Sequence, residues 1–209
     1  MDEHRRVSGA VIRRLPGYYR YLGKLERAGA QRISSQELGE QMGLTASQIR
    51  QDINCFGGFG QQGYGYNVPE LRRHIGQILG LNRDYRMVIV GTGNMGQALM
   101  SYDGFREMHF DMVAAFDSDP ALIGRSVRGL VIRDVQELPQ ALDAQPVDIG
   151  IVAVPEAAAQ AVCDQLVAGG VHAIWNFAPI DLSAGPDVAI NNVHLSDSLL
   201  VLTYALGHM

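Results

Sequence analysis

The chain has 209 residues, 47% of them hydrophobic and 19% charged, with a formal net charge of −5, a length suited to one medium domain or two small ones. Its two cysteines, Cys55 and Cys163, form no CxxC or Cys/His spacing, which argues against a disulfide framework and against a zinc site, so no metal is expected. No uninterrupted apolar run reaches the roughly 18 residues of a membrane span, and none follows the charged Asp2-Glu3-His4-Arg5-Arg6, so a cytoplasmic protein with no membrane partner is expected.

The charge is divided unevenly. Residues 1–80 carry 11 Lys+Arg against 7 Asp+Glu, whereas residues 81–209 carry 6 against 15. An acidic total thus hides a basic front, which suits a polyanionic partner.

Within that front, Ile12, Leu15, Tyr19, Leu22 and Leu25 recur at spacings of three and four, predicting an amphipathic helix over 11–28 with Pro16 marking its start. Ser34-Ser35-Gln36-Glu37 has the form of a capping box and leads into a short helix ended by Gly43. Thr45-Ala46-Ser47-Gln48 has the same form and opens a helix with Ile49 and Ile53 inward. Gly43-Leu44 alone separates the two, and Gly39 supplies a small residue at their crossing, the pattern of a helix-turn-helix. In such a unit the second helix offers Ser47, Gln48, Arg50, Gln51 and Asn54 to base edges and phosphates in the major groove of double-stranded DNA, with Ser35 beside them. A three-helix packing unit without nucleic acid would share this pattern. Phe56 to Val68, however, alternates aromatic residues with glycine, predicting two short strands and a tight turn, the wing of a winged helix. Gly60, Gln61, Gln62 and Tyr64 complete the candidate DNA surface. A linker helix over 71–81 and a boundary at Asn82-Arg83-Asp84-Tyr85 close a first domain, residues 1–81.

The second half opens on Val88-Ile89-Val90-Gly91-Thr92-Gly93-Asn94-Met95-Gly96, a buried strand running into a glycine turn and a helix start. Gly91 permits the tight turn, Gly93 lets the backbone approach a pyrophosphate, and Gly96 lets helix and strand pack closely. A second strand ends in Asp117, about 20 positions past the last glycine, where a carboxylate accepts from a ribose 2′-OH and repels a 2′-phosphate. With Thr92, Asn94 and Met95 in the turn, these residues predict an NAD(H) site. A third strand is expected over 127–132, a helix over 135–142, and a near-continuous apolar strand over 147–154, as in a parallel sheet covered on both faces. A helix from Pro155 through Val167 and strands over 172–177 and 188–193 follow. Val154-Pro155 and Phe177-Ala178-Pro179 end strands on the ligand side of the sheet, by simple proline termination or by contact with the cofactor, and Tyr102 is either a packed aromatic or part of the site. Residues 195–206 form a helix apolar almost all round, which must be buried in its own domain or in another subunit, and exchange between protomers of a dimer fits its terminal place. Residues 82–194 are therefore a Rossmann domain and 195–209 a dimerisation helix.

Across nearly its whole length the chain resembles the redox-sensing transcriptional repressor Rex family. The matching stretches are Arg14-Leu15-Pro16, Ser34-Ser35-Gln36-Glu37-Leu38, Ile49-Arg50-Gln51-Asp52-Ile53, the Phe56–Val68 wing, Ile78-Leu79-Gly80-Leu81, Gly91–Gly96, Phe116-Asp117-Ser118-Asp119-Pro120 and Asn176-Phe177-Ala178-Pro179. The resemblance implies an α/β chain with an N-terminal winged-helix domain, a Rossmann-type parallel sheet domain and a swapped C-terminal helix. It implies a homodimer that releases a palindromic operator when NADH replaces NAD⁺. Three departures stand out. Relatives generally carry Lys where this chain has Gln51 and basic residues at the wing tip where it has Gln61-Gln62. The family's switch aspartate, thought to move between the positions of Arg20 and Tyr102, falls in Asn192-Val193-His194-Leu195. His194 is not an acid, so either Asp197, one helical turn on, takes its place or the switch is altered or lost. An NAD-dependent dehydrogenase is disfavoured, because six scattered histidines offer no base with an orienting carboxylate and little chain remains for a substrate domain. An NAD(H)- or CoA-binding regulator with weakened or lost DNA binding is the second reading.

Overall fold

The computed structural model describes residues 7–57, 60–61 and 64–208, and the chain divides into two units between Arg83 and Asp84. In the first unit, Ser8 caps α1 (Gly9–Arg27), so Pro16 lies inside the helix and does not begin it. The missing N–H and the ring cost roughly 3 kcal/mol in a helix interior. Burial of Leu15, Tyr18 and Leu22 along one face offsets that cost. After β1 (Arg32–Ile33) come α2 (Ser35–Met42) and α3 (Ala46–Asn54).

The cap of α2 is closed: the Glu37 N–H donates to Ser34 Oγ at 3.1 Å and the Ser34 N–H donates to Glu37 Oε2 at 2.8 Å. The cap of α3 is only half a box, because Thr45 Oγ1 accepts from the Gln48 N–H while the Gln48 amide turns to Asp52 instead. Gly43 ends α2 in the left-handed region, φ 65°. A Cβ on Gly39 would lie 2.5 Å from the Leu44 carbonyl oxygen, so the crossing of the two helices requires glycine there. The strands β2 (Gly60–Gln61) and β3 (Gly65–Asn67) pair antiparallel, and β1 pairs with the other edge of β3. The next helix, α4 (Val68–Ile78), starts at Val68 and not at Leu71, since Asn67 Oδ1 accepts from the Glu70 N–H at 2.9 Å and Pro69 sits in the first turn. Leu15, Tyr18, Leu22, Leu38, Ile49 and Leu71 are the buried centre of this unit.

The second unit contains β4 (Tyr85–Val90), α5 (Asn94–Met100), α6 (Gly104–Glu107), β5 (Phe110–Asp117), β6 (Ser126–Val127), β7 (Leu130–Asp134), α7 (Leu138–Ala144), β8 (Ile149–Val152), α8 (Glu156–Ala168), β9 (Ala173–Asn176), β10 (Ala189–Asn192) and α9 (Leu195–Leu206). Its sheet runs β10-β9-β8-β4-β5-β7-β6, with every neighbouring pair parallel except β6 on β7. The single strand expected over 127–132 is thus a hairpin. Arg128 and Gly129 have φ of 52° and 83°, the pair of positive values a two-residue hairpin turn demands. Apolar residues from the alternate faces of the strands form two cores, one with α7 and α8 and one with α5 and α6.

Candidate functional site

The connections leaving β4 run to β5 on one side of the sheet order, and β8 lies on the other, so the topology reverses between β4 and β8. A crevice at the carboxyl ends of such strands is where an open α/β sheet binds its ligand. Here a cleft of about 600 Å³ opens at that place. Of the predicted cofactor residues, Gly91, Gly93, Asn94, Met95, Asp117, Val154 and Pro155 line it. Val90, Ser118, Asp119 and Ala153, chain neighbours of predicted residues, line it too; so do Leu122, Val135, Ala158 and Val162, which no local signal marks because they reach the glycine turn only once the sheet has formed.

Two members of the glycine turn act from beneath. A Cβ on Gly96 would lie 2.0 Å from the Gly91 carbonyl oxygen, so Gly96 is where α5 meets the turn. Thr92 is fully buried, and its N–H and Oγ1 donate to Asp117 Oδ2 at 2.6 and 2.8 Å. Asp117 Oδ1 accepts from the Asp119 N–H at 3.0 Å. Burial alone would push the Asp117 carboxyl up, but hydrogen bonds from Thr92, Asp119 and Ser118 outweigh it and hold the group below its ordinary range. The cleft therefore carries a fixed negative charge on one rim. The N-terminus of α5, which has no side-chain cap, also lines the cleft.

The remaining predicted cofactor residues do not line this cleft. Phe177 packs on Trp175 with ring centroids 4.7 Å apart, and Ala178 is buried with its N–H donated to Asn176 Oδ1. Pro179 is exposed just beyond that turn. Tyr102 is exposed, edge-on to Phe105, and covers Gly104.

On the first unit, Ser47, Arg50, Gln51 and Asn54 form the exposed side of α3 while Gln48 is half-buried. Arg50 Nη1 donates to Ser35 Oγ at 3.0 Å, which joins the starts of α2 and α3. Gly60 and Gln61 form β2, and Gln62 lies outside the described residues. Tyr64 is 69% exposed. Arg32, which sequence reasoning misses, donates from Nη1 to the Tyr64 carbonyl at 3.2 Å and lies 5.9 Å from its ring centroid. No local signal marks Arg32, because the pairing of β1 with β3 spans the whole helix-turn-helix.

For the switch residues, Arg20 is exposed on α1 in the first unit, and the other three belong to the second. His194 Nε2 pairs with Asp181 Oδ1 at 2.9 Å. That contact, with the charge of Asp197 added, pushes the imidazole pKa up, and Asp197 itself sits in the first turn of α9. No side chain of α9 is buried, and Leu195, Leu199, Leu200, Val201, Leu202, Tyr204 and Leu206 are each more than half exposed.

The family described as "Putative DNA-binding protein N-terminus" matches residues 6–54, and the one described as "CoA binding domain" matches residues 82–180. The redox-sensing transcriptional repressor Rex of Clostridium beijerinckii is 54% identical over 99% of this chain and 98% of its own. That of Clostridium kluyveri is 55% identical over 99% of each. The chain belongs to the Rex family. Among solved structures, RSP in complex with beta-NAD⁺ and operator DNA superposes with a TM-score of 0.91 at 50% identity, covering 97% of this chain and 93% of that one. RSP in complex with beta-NADH gives 0.90 at 47%, covering 97% and 95%. As a Rex-family protein the chain is a redox-sensing transcriptional repressor and not an enzyme, and the dehydrogenase reading falls. No helix among the described residues is long and apolar enough to cross a membrane.

Proposed function

We propose that this Rex-family chain binds a palindromic DNA duplex as a cytoplasmic homodimer and releases it when NADH occupies the cleft beside Asp117. The observation that carries the reading is the union, in one chain, of a winged-helix surface with a cleft whose glycine turn is bonded to an ionised acid. The solved relatives with beta-NAD⁺ and operator DNA, and with beta-NADH, support both ligands. A ligand shifts an equilibrium only by its differential affinity for the two states. The nicotinamide ring supplies that difference, being flat and cationic in NAD⁺ and neutral and puckered in NADH. Duplex binding measured with each nucleotide and with none tests the reading.

Asp117 selects among nucleotides. A like charge near a poorly solvated 2′-phosphate costs about 1–3 kcal/mol, or roughly 5- to 150-fold in affinity. NADH is therefore expected to bind that much more tightly than NADPH in calorimetry. The same charge disfavours the phosphorylated ribose of CoA. Asp117→Asn keeps an acceptor for Thr92 and removes the charge, so it is expected to narrow the gap; equal affinities in the parent protein would refute the role.

The apolar α9 calls for a covering surface, which we assign to a second copy. An apolar groove of about 580 Å³ over β8, β9 and β10, lined by Phe105, Phe110, Ile149 and Trp175, offers such a surface.

Gln51, Gln61 and Gln62 favour a second reading, a nucleotide-responsive regulator with little DNA affinity. Each phosphate contact contributes about 0.9 to the slope of log K against log salt. Gln51→Lys in both subunits is expected to steepen that slope by about 1.8 and to raise affinity on all duplexes alike. An unchanged slope would mean that residue 51 does not face the backbone.

A further inference from the structure

Asp52, on α3, is 1% exposed. Four donors converge on its carboxylate: Arg14 Nε and Tyr18 Oη reach Oδ2 at 2.6 and 2.7 Å, and Arg14 Nη2 and Gln48 Nε2 reach Oδ1, each at 2.7 Å. Burial would push the carboxyl up, yet the bonds from Arg14, Tyr18 and Gln48 hold it below the usual range, so it is ionised at neutral pH. A buried ion pair is a poor source of stability, because desolvation offsets most of the attraction. Its contribution is direction. Ile49 and Ile53 bury α3 by contacts that tolerate sliding and rotation, whereas a two-pronged guanidinium–carboxylate pair fixes both.

The same carboxylate sets Gln48. An ionised carboxylate only accepts, so the Gln48 amide must turn its nitrogen to Asp52. Its Oε1 and second N–H have no hydrogen-bond partner among the described residues and lie at the border of the exposed side of α3. An acceptor so presented meets the exocyclic amino group of adenine or cytosine in the major groove, and adenine N7 also takes the free N–H; guanine and thymine present acceptors in its place.

We propose that Asp52 is a positioning residue of the DNA interface, and that Gln48, held by it, selects a base that displays an exocyclic amino group, adenine above all. The proposal rests on the DNA-binding reading above. It is tested with a duplex enriched by the wild-type protein from a randomised pool at low salt, compared with a scrambled duplex of equal length. Asp52→Asn is expected to cut the ratio of enriched to scrambled affinity by roughly 5- to 100-fold, with scrambled-duplex affinity nearly unchanged. A purely structural role would lower both affinities by one factor. Gln48→Ala, at a half-buried position, is expected to erase the preference at one adenine or cytosine per half-site and leave the others intact. Should Asp52→Asn fail to fold, Gln48→Ala decides alone. Wild-type binding with the same ratio and the same preferences in the variants overturns the proposal; no binding by the wild type at low salt overturns the DNA-binding reading and the proposal with it.

Discussion

Deleting residues 196–209 is expected to give a monomer or an aggregate in sedimentation velocity, where the full chain sediments as a dimer. Leu199, Leu200, Val201, Leu202, Tyr204 and Leu206 are all more than half exposed in the single chain. Burying a side chain of this size is worth about 1.5–3 kcal/mol, so six of them supply a gross gain on the order of 10 kcal/mol, comparable to the several kcal/mol that association costs. A continuous apolar patch of this kind does not persist in water on a stable monomer. If α9 covers the groove over β8 to β10 of a second copy, as proposed, its loss removes one side of that interface and leaves the groove open. A soluble dimer after truncation would place the interface elsewhere.

The glycine turn predicts a second large effect, with a contrast that separates packing from ligand contact. Gly91 has φ 94°, and a Cβ there would lie 2.3 Å from the Ala153 carbonyl oxygen; a Cβ on Gly96 would lie 2.0 Å from that of Gly91. In both cases the methyl meets backbone, just past the end of β8 for Gly91 and at the glycine turn itself for Gly96, and neither yields without parting the turn from β8 or α5 from the turn. Gly91→Ala and Gly96→Ala are expected to lower stability by about 3 kcal/mol or more and to abolish NADH binding. Gly93 differs: its φ is −64° and nothing lies within 4 Å of where a methyl would stand, yet it lines the cleft. Gly93→Ala is expected to melt like the parent protein while losing at least about tenfold in NADH affinity, roughly 1.4 kcal/mol, as the methyl occupies the pyrophosphate's path. Parent-like NADH binding by Gly93→Ala would show that the pyrophosphate does not pass there.

Features set by neighbours in the chain are legible in the sequence alone. The turn from Gly91 to Gly96, Asp117 at the end of β5, the capping box at Ser34 and the span of α9 all follow from local pattern. Features set by distant pairs are not. Pro16 reads locally as a helix start, but Ser8 and the packing of Leu15 and Tyr18 carry the helix through it. The hairpin at Arg128-Gly129 hides in an apolar run, where its one signal, Gly129, is outweighed by its neighbours. Gln48 reads as a free polar residue on a recognition helix, since its tie to Asp52 depends on a network that reaches 38 positions back to Arg14. Phe177, Ala178 and Pro179 sit at the right end of their strand, yet Asn176 ties that turn to Ile180 and Asn192, and none of the three is among the residues that line the glycine cleft.

The central claim, that nucleotide in the cleft controls the grip of the winged helix on DNA, is tested most directly by titrating the enriched duplex with the full-length protein in the presence of NADH, NAD⁺ or neither. Couplings between sites usually amount to about 1–3 kcal/mol. NADH is therefore expected to weaken duplex binding by roughly 5- to 150-fold relative to NAD⁺, and by reciprocity the duplex should weaken NADH binding by the same factor. Equal duplex affinity under all three conditions would contradict the account.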